Sequence, residues 1–397
     1  MHRTDKWAIA AIAIAETLIW CGTFYAFPAL FVRFEAEFSW SKPAITGALT
    51  VAIVASALVS PLFGRLIDRG LGPHVLTSNI LLGGLMMLIL SQVQTLWQFY
   101  LVWALIGIAM GGSLYEPTFA FMTRAIGRTA TRAITLVTLF AGFAGTLSFP
   151  LGHYVSELSS WRAASLTYAA LIIAFAAPLM WWGARHFEHG FRSNLEMHAL
   201  PRSDPSNVHL HSVPFWLLAA GFTLLAVNHG VILNHILPLL RERGFDAASA
   251  VFAASMIGPM QVVGRIVMMM TPSRVSTRAI VLTCFVGITF ATLALIGAAG
   301  FPLLIAGFVL LHGASFGVMS IAKPAITRDT MGAANFGAVA GAMAVPYLLG
   351  VAVAPFFGSL VWEFGGYDTV LVIILAAVSA GGICVYLATR HRAPRRT

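Results

Sequence analysis

Two short stretches place opposite charges at matching positions in apolar sequence. SLYEPTFAFMTR (residues 113–124) carries Glu116 before a proline, and SIAKPAITRD (residues 320–329) carries Lys323 before a proline. An acid and a base in such surroundings can form an ion pair, or the lysine can bind an anion while the acid, or Glu16, takes up a proton. A carboxylate that pairs tightly with a lysine is a poor proton carrier, which favours Glu16 as carrier. In the remaining alternative, both charges reach the membrane interface and bind nothing specific.

Other polar side chains in apolar sequence are candidates for the same chemistry. NHGVILNH (residues 228–235) brings Asn228 and His229, which are candidates for substrate contact. Imidazole titrates near neutrality, so His229 is also a candidate proton carrier. Arg265 and Tyr25 are the remaining candidates for contact with a substrate or for coupling to a proton.

The composition predicts that membrane-spanning helices position these residues. The chain has 397 residues, of which 58% are hydrophobic and 10% charged, and its mean hydropathy is +0.84. A spanning helix needs about 20 apolar residues. Twelve such stretches are found, at 7–32, 43–66, 74–95, 98–122, 131–156, 162–184, 213–240, 247–270, 278–298, 301–327, 334–362 and 368–389. The first is too long for a secretory signal peptide and is expected to be retained.

The depth of each charge follows from its distance to the nearer helix end. At 1.5 Å per residue, Glu16 is expected roughly 13 Å deep, and Glu116 and Lys323 roughly 6–9 Å deep. All three are therefore predicted in the inner half of the membrane.

The net charge of +9 reflects the side of the membrane on which Lys and Arg residues lie, and it does not indicate nucleic-acid binding. Most Lys and Arg residues fall in one alternate set of connections, and the opposite set has only Arg33, Lys42, Arg162, Arg241 and Arg243. The positive-inside rule therefore predicts that both termini are cytoplasmic.

The chain divides into two halves that echo one another. The only long polar stretch between the apolar stretches splits them six and six, which predicts an N-terminal bundle at 1–184, a cytoplasmic linker at 185–212 and a C-terminal bundle at 213–397. FGRLID (63–68) corresponds to VGRIVM (263–268), and AFPALF (26–31) corresponds to ILPLLR (236–241). Two such halves, with substrate held between them, are typical of secondary transporters.

With this architecture, the sequence resembles the major facilitator superfamily. GRLIDRGLGPH (residues 64–74) matches the family pattern G-x-x-x-D-[RK]-x-G-[RK]-[RK] at Gly64, Asp68 and Arg69, whereas Gly72 comes one residue late and Pro73-His74 replace the basic pair. FSWSKPAITGAL (38–49) and DRGLGP (68–73) look most like the monocarboxylate-transporter-like branch.

The resemblance implies a fold and a role for several residues. It implies an all-α membrane protein whose twelve helices form two pseudo-symmetric six-helix bundles. Asp68 and Arg69 would bridge helix ends and stabilise one access state. Helices 1, 4, 7 and 10 would line a central cavity, which would place Glu16, Glu116 and Lys323 on lining helices and Arg265 behind or beside them.

The expected function is secondary active transport of a small organic solute. The solute is expected to be an organic anion such as a monocarboxylate, moved by alternating access with proton coupling or by exchange. Efflux of amphipathic drug-like compounds is an alternative, and a transporter-fold ligand sensor is an alternative from another class. The expected setting is a bacterial inner membrane, with the carrier functional as a monomer.

No enzyme activity, cofactor or metal is expected. The sequence contains no nucleophile–base–acid pattern and no G-x-x-x-x-G-K-[ST] nucleotide motif, which argues against ATP-driven transport by this chain alone. Five histidines in the linker follow no metal-ligand spacing: His186, His189, His198, His209 and His211.

Overall fold

Helices form all the regular structure in the part of the chain that the computed structural model describes, residues 3–127, 130–193, 212–271, 274–332 and 336–390. In chain order they are α1 (Arg3–Gly22), α2 (Ala26–Phe38), α3 (Lys42–Leu66), α4 (Gly72–Leu90), α5 (Leu96–Ser113), α6 (Tyr115–Ile126), α7 (Ala130–Ala141), α8 (Ala144–Leu158), α9 (Trp161–Leu171), α10 (Ala177–Ser193), α11 (Val213–Glu242), α12 (Ala247–Met270), α13 (Thr277–Gly297), α14 (Leu304–Met331) and α15 (Phe336–Arg390). A turn at Ile67–Leu71, with Gly70 in a left-handed conformation, joins α3 to α4, and a wide π-helical turn at Ile172–Ala176 joins α9 to α10.

The helices account for twelve membrane crossings. The described residues contain ten apolar helical segments long enough to cross a membrane. Two of them, Lys42–Leu90 and Val339–Arg390, have 49 and 52 residues and are each long enough for two crossings. Each long segment reverses at a glycine with positive φ, at Gly70 (φ 87°) and Gly366 (φ 67°), a conformation that side chains with a Cβ rarely adopt. The all-α membrane fold is confirmed.

The chain forms two compact units, Met1–Ala199 and Leu200–Thr397. In the first unit, α1 packs against α7 and α10, and α3 packs against α5. In the second unit, α11 packs against α15, and α14 packs against both α12 and α13. The pairs α3–α5 and α12–α14 are the second and fourth crossings of their respective halves.

Several predicted boundaries are corrected. The first crossing is divided by a turn at residues 23–25, and the fourth is divided at Leu114, so neither is one continuous helix. The linker was expected from residue 185, but α10 continues to Ser193 because its sequence keeps an amphipathic helical pattern. Residues 194–211 lie outside the described ranges.

Glycines allow the second and fourth crossings of each half to touch along their backbones. A Cβ on Gly107 of α5 would lie 2.0 Å from the carbonyl oxygen of Ala52 on α3. A Cβ on Gly264 of α12 would lie 2.1 Å from the carbonyl oxygen of Ala314 on α14. Small residues at helix contacts permit this approach in membranes, where packing replaces the hydrophobic effect as the force between helices.

We expect Gly107→Ala to destabilise the first unit. The added methyl group meets backbone that cannot rotate away, and overpacking of this kind costs about 1–3 kcal/mol. Thermal unfolding in detergent measures the loss. Gly307→Ala is the matched control, because a Cβ at Gly307 on α14 would meet no atom within 4 Å. Equal midpoints for the two variants would show that the α3–α5 contact is not this tight.

Candidate functional site

Glu116 lies directly after a break in the fourth crossing. α5 ends at Ser113, Leu114 has an extended backbone (φ −81°, ψ −159°), and α6 begins at Tyr115. Pro117 has no N–H to donate to the carbonyl of Ser113 four residues earlier, which favours an interruption here. The Glu116 side chain is exposed in the first turn of α6, where the helix dipole favours a negative charge.

Glu16 is the fully buried carboxyl of the first unit. Its Oε1 lies 2.5 Å from the hydroxyl of Thr118, and the hydroxyl donates. Its Oε2 meets no donor at hydrogen-bond geometry among the described residues, but the indole N–H of Trp20, one helical turn later, lies close enough to interact with the carboxyl. A buried carboxyl with one open oxygen can accept a proton or a further donor.

Aromatic rings extend from this carboxyl. The ring of Trp20 lies 4.7 Å from that of Tyr115 and 6.3 Å from that of Tyr25, measured between centroids. Tyr25 itself stands in the turn between α1 and α2 and contacts the ring of Phe149 at 6.4 Å. The first unit therefore combines a buried acid with a cluster of amphipathic rings.

Lys323 lies over an aromatic ring in the second unit. Its Nζ is 3.4 Å from the ring centroid of Tyr347 on α15, a cation–π contact. The helix α14 that carries it continues through Pro324 to Met331 without a break. The ammonium is thus half-buried and oriented by the ring.

The observed helices extend beyond the apolar stretches, so each of the three charges lies farther from its helix end than from the end of its apolar stretch. Glu116 lies ten residues before the end of α6, about 15 Å, and Lys323 lies eight residues before the end of α14, about 12 Å. Glu16 lies 13 residues after the start of α1, about 20 Å. The helical residues beyond the apolar stretches include Asp5, Arg124 and Arg328, so these lengths are not depths in a membrane, and the predicted depths stay predictions.

His229 pairs with a second histidine. Its Nδ1 lies 2.9 Å from Nε2 of His312 on α14, and its ring stacks on Phe316 with centroids 3.4 Å apart. His312 is fully buried, and its Nδ1 is without a partner in the described ranges. A hydrogen bond between two imidazoles needs one ring nitrogen to donate and the other to accept, so this pair can join α11 to α14 only while at least one of the two rings is neutral.

Asn228 and Arg265 each hold neighbouring helices of the second unit together. Asn228 is fully buried and donates to the hydroxyl of Thr292 and to the carbonyl of Ile374, so its amide group holds α11 against α13 and α15. Arg265 is 6% exposed, and its Nε donates to the carbonyl of Gly317 on α14. These contacts belong to the helix packing of the second unit, and the predicted substrate contact of both residues stays a prediction.

The loop motif carries two exposed charges. Asp68 and Arg69 lie in the turn between α3 and α4, and neither forms an ion pair with any residue in the described ranges. A Cβ on Gly64 would meet nothing within 4 Å, so no close packing demands glycine there. The bridging role that the resemblance implies for the motif stays a prediction.

A buried ion pair near the end of α6 was not predicted from the sequence. Arg124 contacts Glu188 of α10 through two bonds, Nη1 to Oε2 at 2.7 Å and Nη2 to Oε1 at 3.2 Å. Their side chains are 15% and 7% exposed. The residues are 64 positions apart, and neither lies in an apolar run that would have marked it.

We expect Glu188→Gln to destabilise the first unit by about 3 kcal/mol, because it leaves the Arg124 charge buried without its carboxylate. Chemical unfolding in detergent measures the change. Glu37→Gln is the matched control, since the Arg162–Glu37 pair is 35% and 43% exposed and should contribute at most about 1 kcal/mol. Equal losses in the two variants would contradict the burial argument.

The linker histidines show no metal site where they are described. His186 pairs with Asp5 at 3.0 Å, and His189 is exposed on α10. Within the described residues no three potential metal ligands come together. His198, His209 and His211 lie outside those ranges.

Sequence comparison places the chain among known carriers. A family model described as Major Facilitator Superfamily matches residues 12–272. Monocarboxylate transporter 13 of Bos taurus is 24% identical over 388 residues, which is 96% of this chain and 89% of that protein. Monocarboxylate transporter 13 of Rattus norvegicus is 24% identical over 274 residues, 67% of this chain, and the match spans 62% of the rat protein.

Solved structures share the fold. A bacterial homolog to the human lysosomal transporter Spinster, in an inward-facing and occupied conformation, has a TM-score of 0.72 at 15% identity over 98% of both chains. The nucleoside transporter NupG has a TM-score of 0.69 at 13% identity over 98% of this chain and 99% of its own. At these identities the similarity shows the fold alone.

Proposed function

Because the chain belongs to the Major Facilitator Superfamily, we propose that it is a secondary active transporter for a small organic anion, such as a monocarboxylate. Transport would proceed by alternating access of the two halves, coupled to protons or run by exchange. The similarity to monocarboxylate transporter 13 supports this substrate class.

One observation carries the choice of an anion. Lys323 lies on a helix that crosses the membrane, half-buried and held over the ring of Tyr347. A cationic group at membrane depth marks a substrate or ion pathway by default, and an ammonium fixed by a ring is oriented to receive a carboxylate. Lys323 is therefore the proposed anion-binding residue.

Glu16 is the proposed coupling residue. Its carboxyl is fully buried, and the one hydrogen bond on Oε1 leaves the second oxygen open to a proton. His229, paired with His312, is a second candidate for the proton. The ion pair of Glu116 with Lys323 stays a prediction. The double variant Glu116→Lys/Lys323→Glu, which swaps the two charges, would test it by whether transport lost in each single variant returns.

The proposed setting is the cytoplasmic membrane of a bacterium, with both termini inside and the carrier active as a monomer. The uneven distribution of Lys and Arg supports this topology. On the side proposed as external, Arg33, Lys42, Arg162 and Arg243 each form an ion pair with an acid, so that few free positive charges remain there.

Transport by the purified full-length chain in liposomes tests the proposal. Labelled lactate, pyruvate and propionate would be offered with and without a pH gradient, and we expect accumulation that follows the gradient. Movement of amphipathic dyes without any of the acids would instead establish drug efflux. Binding of the acids, seen as a thermal shift, without movement would establish a sensor.

A further inference from the structure

The hydroxyl of Thr118 lies between two acceptors. It is 2.5 Å from Oε1 of Glu16 and 3.4 Å from the carbonyl oxygen of Ser113. A hydroxyl has one hydrogen to donate and can also accept, so it cannot serve both oxygens fully at once. Which acceptor it serves depends on the proton at Glu16.

The Ser113 carbonyl is available because of the break in the fourth crossing. In a continuous helix it would accept from the N–H of residue 117, but Pro117 has none. The neighbouring backbone hydrogen bonds do not use this carbonyl. The N–H of Leu114 donates to the carbonyl of Met110, and the N–H of Thr118 donates to the carbonyl of Leu114. Within the described contacts, the Thr118 hydroxyl is the donor that reaches Ser113.

We propose that Thr118 is a positioning residue for proton coupling, whose hydroxyl exchanges between Glu16 and the Ser113 carbonyl. With Glu16 ionised, the Thr118 O–H donates to Oε1. When a proton from water joins the open Oε2, rotation of the carboxyl group about its Cγ–Cδ bond brings the new O–H to Thr118 Oγ1, and the Thr118 O–H turns to Ser113. This inference rests on the proposed role of Glu16 in coupling.

The exchange connects protonation to the helix break. In the ionised state the hydroxyl ties α6 to α1, through Thr118 and Glu16. In the protonated state it also bonds across the break to the last residue of α5. Protonation of one carboxyl therefore changes how α6, and with it Glu116, is held at Leu114.

The internal repeat shows that this arrangement is specific to the first half. The alignment of Pro28 with Pro238 places Ala226 opposite Glu16, and the shared S-x-x-x-P frame places Ala325 opposite Thr118. The corresponding helix α14 runs unbroken from Leu304 to Met331 although it keeps a proline. The aligned positions of α11 and α14 therefore have neither the carboxyl nor the hydroxyl, and the described α14 has no break.

Few charges compete for the same proton. Glu116 is the charged residue that acts electrostatically on Glu16. Among the side chains that the structure describes, the remaining titratable groups on α1 and on the helices packed against it have contacts of their own or are exposed. The contacts are Asp5 with His186, Glu188 with Arg124, Glu157 with Arg33, Arg162 with Glu37, Tyr168 with Ser148, His74 and Arg185 with Trp181, His153 with Tyr154, and Cys21 with Ser148. The exposed groups are Lys6, Arg132, Tyr154 and His189.

Infrared titration of the substrate-free full-length chain in lipid vesicles tests the inference without any transport assay. Glu16→Gln identifies the carboxyl band of Glu16. Thr118→Val removes the donor that favours the ionised carboxylate, so we expect the midpoint of the band to rise by about one to two pH units. Thr118→Ser keeps the hydroxyl and should keep the wild-type midpoint.

Pro117→Ala tests the exchange itself. It supplies an N–H for the Ser113 carbonyl, which removes the reason for the hydroxyl to turn there, and the midpoint should fall. A static hydrogen bond from Thr118 would predict no change in this variant. Should Thr118→Val not yield folded protein, Thr118→Ala removes the same hydroxyl without added bulk and should give the same rise.

The outcomes separate the inference from the proposed function. Unchanged midpoints in Thr118→Val or in Pro117→Ala, or a Glu16 band that does not titrate, would overturn the inference even if lactate accumulates with the pH gradient. The expected shifts in a protein that moves none of the three acids would support the hydroxyl exchange and overturn the transport proposal alone.

Discussion

Lys323→Met is expected to lower lactate uptake by at least about 30-fold. The substituted side chain keeps much of the length and apolar surface of lysine but removes the charge that the carboxylate would meet. Loss of one member of a desolvated, hydrogen-bonded charge pair costs about 2 kcal/mol or more, which corresponds to this factor in affinity. Initial uptake rates into liposomes over a range of lactate concentrations would show the loss in the apparent affinity.

Two variants make this result specific. Lys323→Arg keeps the positive charge and can remain over the Tyr347 ring, so it should retain a substantial part of the uptake. Lys6→Met removes an exposed lysine from the start of α1 and should leave uptake unchanged. Normal uptake by Lys323→Met, in protein that melts like the wild type, would exclude Lys323 as the anion site.

Glu16→Gln is expected to abolish accumulation driven by a pH gradient while exchange of internal for external lactate continues. An amide cannot take up and release a proton near neutrality, but it can keep a hydrogen bond to Thr118. With one proton per lactate, a gradient of one pH unit sustains about tenfold accumulation in the wild type, and the variant should reach a ratio of about one. Labelled lactate and a pH dye measured in the same liposomes would give both quantities.

The control for Glu16→Gln is an acid that is not buried. Glu157→Gln alters a carboxylate that pairs with Arg33 and is 52% exposed, so accumulation should follow the pH gradient as in the wild type. Full accumulation in Glu16→Gln would assign the proton to another group, and His229→Gln would then be the next variant to measure.

The fold could be predicted from the sequence because spanning helices leave a strong local signal. Three features can be read along the chain without knowing which helices contact each other: long apolar runs, a charge bias between alternate connections and the G-x-x-x-D-R pattern. The breaks at residues 23–25 and at Leu114 were missed, because an apolar run continues through both of them. Helix ends were placed too early where polar residues, such as Arg124, extend a helix beyond its apolar part.

The site could be predicted only as single residues. Glu16, Glu116 and Lys323 stand out because each is charged within an apolar run, and that property requires no knowledge of partners. Their partners depend on packing between distant helices: Thr118 lies 102 positions from Glu16, and His312 lies 83 positions from His229.

Packing also decides which polar residues are available to a substrate. Asn228 and His229 are adjacent in sequence, and the periodicity of α11 turns the first toward α13 and α15 and the second toward α14. Nothing in the local sequence around Arg265 on α12 indicates that its guanidinium would donate to the backbone carbonyl of Gly317 on α14.

Because α14 is unbroken, it can serve as the reference for a distance measurement on the broken fourth crossing. A pair of spin labels placed one turn before and two turns after Leu114 would report any bending of the fourth crossing as a change in their separation. The same pair at the equivalent positions of α14 spans a single helix and should keep a fixed separation under every condition. The change in the first separation minus the change in the second would then report bending of the fourth crossing, because effects of the labels and the lipid are common to both pairs.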